Sequence, residues 1–152
     1  MAQGDVVFFD QFLVDCMEKV HNLESDTIKL ALVDSTTTPA TTTAVPTWGA
    51  GGTTNFSSNE VTAGGNYTAG GAACGNPSVT LSGGAAEFDC DDPATWSQHA
   101  SNPTNARWGI LYNDTATNNE CIGYVDLGSA FDMTTGDLTV AWGAPLATFD
   151  QA

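Results

Sequence analysis

Few residues in this chain have the types and spacing that chemistry needs. Ser97, His99 and Ser101, in WSQHASN, offer a hydroxyl nucleophile and an imidazole base. Acyl transfer also requires a group that orients the imidazole, and residues two apart on an extended segment merely point the same way. Asp89, Asp91 and Asp92, in FDCDDPATW, crowd carboxylates as calcium sites do, but the ligand spacing and closing Glu of an EF-hand loop are missing. They read as a solvated acidic turn. The runs GAGGTTN and GGNYTAGGAACG could cradle a phosphate only if G-x-G-x-x-G led from a strand into a helix, or if Lys and Ser/Thr closed the run. Neither condition holds, so the glycines read as suppliers of positive φ in turns and bulges. Trp48, Tyr67 and Trp96 could form a sugar-stacking platform, whereas Trp108 and Trp142 sit at strand positions and read as core.

Cys16, Cys74, Cys90 and Cys121 are scattered without a C-x-x-C pair, and His21 and His99 do not complete a zinc set. No catalytic, metal or cofactor residue is therefore assigned, and the chain reads as a non-enzyme. Charge narrows the partners. Eighteen acidic residues stand against Lys19, Lys29 and Arg107, a formal net charge of −15. Nucleic acid and anionic membranes are disfavoured, because both must be met by cations. No apolar run reaches the roughly 18–20 residues of a membrane helix, and the start MAQGDVVFFDQF lacks a basic signal region, so synthesis in a cytosol is expected.

A single domain spanning all 152 residues must hold these side chains. From Asp5 to Leu23, Phe9, Leu13, Cys16 and Val20 recur at helical spacing, which predicts one N-terminal helix with that stripe buried and Asp5 as its N-cap. In TIKLALV the period changes to two, the signature of a strand with one buried face. Further strands are predicted over Ser78–Leu81, Ala85–Asp89, Ala106–Tyr112, Cys121–Leu127 and Asp137–Trp142, with hairpins at SGG and NDTATNN. The fold class expected is mainly β, an antiparallel sandwich or barrel with one helix. Its β-rich body spans 78–149, and a long polar insert, 35–76, is laid over it and anchored at Val45, Trp48, Phe56, Val61 and Tyr67.

The series DTIKLALV, NEVTAGGNYTAGGA, FDCDDPATW, NARWGILYNDT, IGYVDLG and GDLTVAW resembles a family of small tailed-bacteriophage structural proteins encoded among the head and tail genes. The resemblance covers nearly the whole chain and rests on the order of these motifs. It implies a virion component with no catalytic residues. The first expectation is a capsid decoration, or cement, protein on the capsid exterior, bound to the major capsid protein and to copies of itself as a trimer or small cluster. Thr36, Thr43, Trp48, Phe56 and Tyr67 of the insert would supply neighbour contacts. A tail or neck component is the alternative within that family. Outside it stands a carbohydrate-binding β-sandwich using Trp48, Tyr67 and Trp96, with calcium at the aspartates. Cys74 and Cys90 could close a loop of about fifteen residues with a disulfide worth roughly 3 kcal/mol. Cys90–Cys121 and a link between subunits are competing pairings, and Cys16 should stay reduced.

Overall fold

The computed structural model describes residues 2–150. In chain order it contains β1 (Ala2–Gln3), β2 (Val7–Phe8), α1 (Asp10–Met17), β3 (Ile28–Val33), β4 (Pro46–Thr47), β5 (Thr54–Asn55), a 3-10 turn (Phe56–Asn59) and β6 (Ala72–Cys74). There follow β7 (Ser78–Ser82), β8 (Ala85–Asp89), β9 (Ala106–Asn113), β10 (Cys121–Phe131), β11 (Thr139–Val140) and β12 (Ala147–Phe149). The fold is mainly β and sandwich-like, with one short N-terminal helix. A five-stranded antiparallel sheet, ordered β2-β10-β9-β3-β6, faces a three-stranded antiparallel sheet, β12-β8-β7. Two short parallel pairs, β1·β11 and β4·β5, complete the topology.

The alternation in β3 builds two cores. Ile28, Leu30 and Leu32 meet Phe12, Phe88, Leu111, Ile122 and Val125 in the layer between the large and small sheets. Ala31 and Val33 point the other way and join Phe9, Trp48, Phe56, Trp108, Ile110 and Tyr112. The expected one-sided strand is thus buried on both faces. Its second face is covered by Trp48 and Phe56 of the insert, whose Val61 and Tyr67 anchor instead in the first core, while Val45 stays exposed. The insert ends as β6, the edge strand beside β3, so the body begins well before residue 78. Both predicted hairpins form: Gly83 and Gly84 take φ of 57° and 93° in the β7–β8 turn, and β9 pairs antiparallel with β10. The strand expected over Asp137–Trp142 shrinks to Thr139–Val140.

The helix departs most from expectation. It covers Asp10–Met17, because Val7 and Phe8 pair with Tyr124 and Gly123 at the sheet edge and cannot also be helical. Phe9, not Asp5, is the N-cap residue and contributes no side-chain cap. The C-terminus is a Schellman motif: Lys19 sits at φ 63°, its N–H donates to Cys16 O, and the Val20 N–H donates to Asp15 O. The buried helical residues are Phe12 and Asp15, so the stripe Phe9–Leu13–Cys16–Val20 is displaced. Leu13, assigned to the core, is 51% exposed.

Candidate functional site

The polar clusters singled out by sequence are occupied in holding loops. Glu60 and Tyr67 of NEVTAGGNYTAGG form a clamp over β3: the Tyr67 hydroxyl donates to Glu60 Oε1 at 2.9 Å and accepts the Leu32 N–H at 2.9 Å. The same carboxylate oxygen accepts the Gly70 N–H at 2.6 Å. Burial and the Glu60 charge push the Tyr67 phenol well above its ordinary range, which keeps it protonated and able to donate. Tyr67→Phe is expected to cost about 1–3 kcal/mol, because the buried Leu32 N–H loses its acceptor. A urea unfolding curve measures this, and an unchanged midpoint would remove the clamp from the account.

Ser97, His99 and Ser101 are exposed, and His99 Nδ1 accepts the Ser101 backbone N–H at 3.1 Å rather than a serine hydroxyl proton. The organiser of that loop is buried Asn102, which sequence reasoning passed over. Its amide donates to Ser97 O and Met133 O and accepts the Asn66 N–H. Asp91 accepts from the Asn76 amide at 2.6 Å and Asp92 from the Trp142 N–H at 3.0 Å, so both act as caps between segments. No group of three or more His, Cys, Asp or Glu among the described residues could hold a metal ion. Trp48, Tyr67 and Trp96 are 7%, 2% and 5% exposed, which overturns the sugar platform. The same burial withdraws Trp48, Phe56 and Tyr67 from the expected neighbour contacts. They anchor the insert inward, leaving Thr36 exposed and Thr43 half-buried.

A second polar cluster lies beneath the helix. Buried His21 places Nδ1 3.1 Å from the Asn113 amide, which donates to Asp26 at 2.6 Å, and Nε2 4.0 Å from Asp15. Burial lowers the His21 pKa below its ordinary 6.5, with Asp15, Glu120 and Asp26 opposing that shift. The unfolded chain therefore takes up this proton first as pH falls. The stability that His21 contributes is whole above pH 6.5 and lost as the pH drops through and below it. Unfolding midpoints between about pH 7.5 and 5.5 should fall in the wild type, and His21→Gln should flatten that dependence.

The thiols divide by layer. Cys74 and Cys90 share one core, and the neighbouring Cys90 thiol together with burial raises the Cys74 pKa. A backbone bond from Asp91 N to Gly75 O, 2.8 Å, ties the residues that follow them. Cys121 is fully buried on the opposite side of the large sheet, so the Cys90–Cys121 pairing is not brought together. Cys16 is half-buried with its pKa raised to about 11 by desolvation and Asp15. All four are free thiols. Oxidation outside a reducing compartment is expected to join Cys74 to Cys90 and to spare Cys121, which peptide mass mapping without reductant checks.

What remains unaccounted for is apolar and exposed. Leu13, Val14 and Met17 project from α1 at 51%, 46% and 86% exposure, and Val79 and Leu81 from β7 at 41% and 81%. Leu13, Cys16, Met17, Leu23, Val79, Phe88 and Phe149 line a groove of about 410 Å³ between the helix and the small sheet. No carboxylate or cation of the described residues lines it. An uncharged apolar groove of this kind can bury surface against another molecule. No helix among the described residues is long and apolar enough to cross a membrane. No protein-family model, no curated protein and no solved structure matches the chain.

Proposed function

We propose that this chain is a structural component of a tailed-phage virion, a decoration protein that binds the outer head lattice and stabilises it. The observation that carries the reading is the uncovered apolar face of α1 and β7 on a chain whose net charge is −15. The charge keeps the free protein soluble, while the neutral face supplies the surface that leaves water on assembly. The mechanism is burial alone: capsid expansion would have to expose that surface again, at about 25 cal/mol per Å² of apolar area. Thr36, exposed at the rim of the insert, remains available for polar neighbour contacts.

The copy number per virion tests the assignment. A count on the order of hundreds places the protein on the head lattice, and a small multiple of the tail symmetry assigns it to the tail or neck instead. Purified protein added to heads that lack it should restore resistance to thermal rupture, with Met17→Lys impaired in binding. Heads that bind neither protein would remove the reading.

A further inference from the structure

We infer that two copies of this chain pair through β7, antiparallel about a twofold axis at Thr80, joining their small sheets into one. β7 is the outermost strand of its sheet, and no other described strand bonds to its outer edge. The two-residue Gly83-Gly84 turn makes Ser82 and Ala85 the hydrogen-bonded pair beside it. Alternation then aims the N–H and C=O of Val79 and Leu81 outward, toward solvent. An edge of this kind is normally blunted by a charge, a proline or a bulge. Ser78–Ser82 reads SVTLS and has none of the three.

The sequence of the strand selects a second copy as the occupant. SVTLS is near-palindromic about Thr80, so antiparallel self-pairing sets Val79 against Leu81 and Ser78 against Ser82 in both directions. Apolar meets apolar and hydroxyl meets hydroxyl, as favourable cross-strand pairs require. About four ladder hydrogen bonds form, and they satisfy the outward groups of Val79 and Leu81. Charge points to the same place. Two copies, each at −15, repel wherever their acidic surfaces meet, and Lys29 and Arg107 are already engaged with Asp114 and Asp126. From Val61 to Ala86 the sequence carries no charged residue, and β7 lies within that neutral stretch. The pairing also brings Val79 and Leu81 of each copy, 41% and 81% exposed, against the other's apolar pair. This inference rests on β7 and does not require the virion reading.

Sedimentation of the full chain across a concentration series should show the mass rising from 15.7 kDa to twice that value, and added salt should favour the dimer by screening the repulsion. Leu81→Lys should remain at the monomer mass, and at concentrations where the wild type is also monomeric its melting temperature should be unchanged, since that side chain is then in water. Register is tested by cross-linking. Thr80→Cys faces its own mate across the axis at roughly 4.5 Å between Cα atoms, within disulfide reach, so a covalent dimer should form on oxidation. Ser82→Cys faces Ser78 and lies roughly 14 Å from its own mate, so it should not cross-link. A monomer at every concentration, a trimer, a dimer undisturbed by Leu81→Lys, or equal cross-linking at both positions would each overturn the pairing. A monomer that dimerises only on capsids would assign the face to a capsid partner instead, and would overturn it too.

Discussion

Phe12→Ala is expected to lower the unfolding free energy by about 3–5 kcal/mol, while the neighbouring Leu13→Ala should cost less than about 1 kcal/mol. Phe12 is 0% exposed and sits among rings: Phe8 at 5.5 Å, His21 at 5.4 Å and Phe149 at 6.1 Å between centroids. Truncation therefore opens a cavity where α1, the edge of the large sheet and β12 meet. Three separate elements hold its walls, so collapse to refill the space is restricted. Leu13, one residue on, is 51% exposed and loses little by truncation. Parallel denaturant titrations of the two variants decide between the observed helix face and the one displaced by a residue. Equal losses would contradict the structure.

Gly71→Ala is expected to be the most damaging single methyl in the chain, costing more than about 4 kcal/mol or preventing folding. Gly71 has φ 76°, and a Cβ there would overlap the Leu30 carbonyl oxygen and lie 2.5 Å from Ala31 Cα. Relief by movement is blocked, because Leu30 pairs with Ala72 on one side and Leu111 on the other. The control is Gly83→Ala, also at positive φ but with nothing within 4 Å of the added atom. That variant should lose only the roughly 1–2 kcal/mol of left-handed backbone. Comparable melting temperatures for the two would show that contact with β3 does not set the cost.

These two sites also mark where the sequence was and was not readable. The bounds of β8 were read to the residue, and those of β7 and β9 to within one, because short alternating runs flanked by Gly, Asn and Asp leave little freedom of register. The insert's anchoring followed from its isolated aromatic residues, since large rings in a polar stretch have nowhere favourable to go but inward. The helix face did not follow. Helical spacing over 5–23 was genuine, but β10 offered Val7 and Phe8 a sheet edge, and tertiary pairing overrode local periodicity. The groove was equally hidden. Leu13, Met17, Val79 and Leu81 look like core residues in one dimension, and only the relative placement of α1 and β7 leaves them uncovered. Asn102 gave no signal, because a lone Asn in a loop does not announce how many carbonyls surround it.

The strand order of the large sheet has a consequence for how the chain is made. β3 is the first long strand to emerge, yet its two partners, β9 and β6, both lie C-terminal to it, and β2 waits for β10. On the ribosome, Ile28–Val33 must therefore wait for the short edge strand β6 before it can pair at all, and lacks its long partner β9 until Asn113 has been synthesised. At about 5–20 residues per second, that is a delay of several seconds. The β7–β8 hairpin can close meanwhile, but it has no layer to pack against. Nascent chains arrested before β10 should bind trigger-type holdases, and chains extended past it should release them.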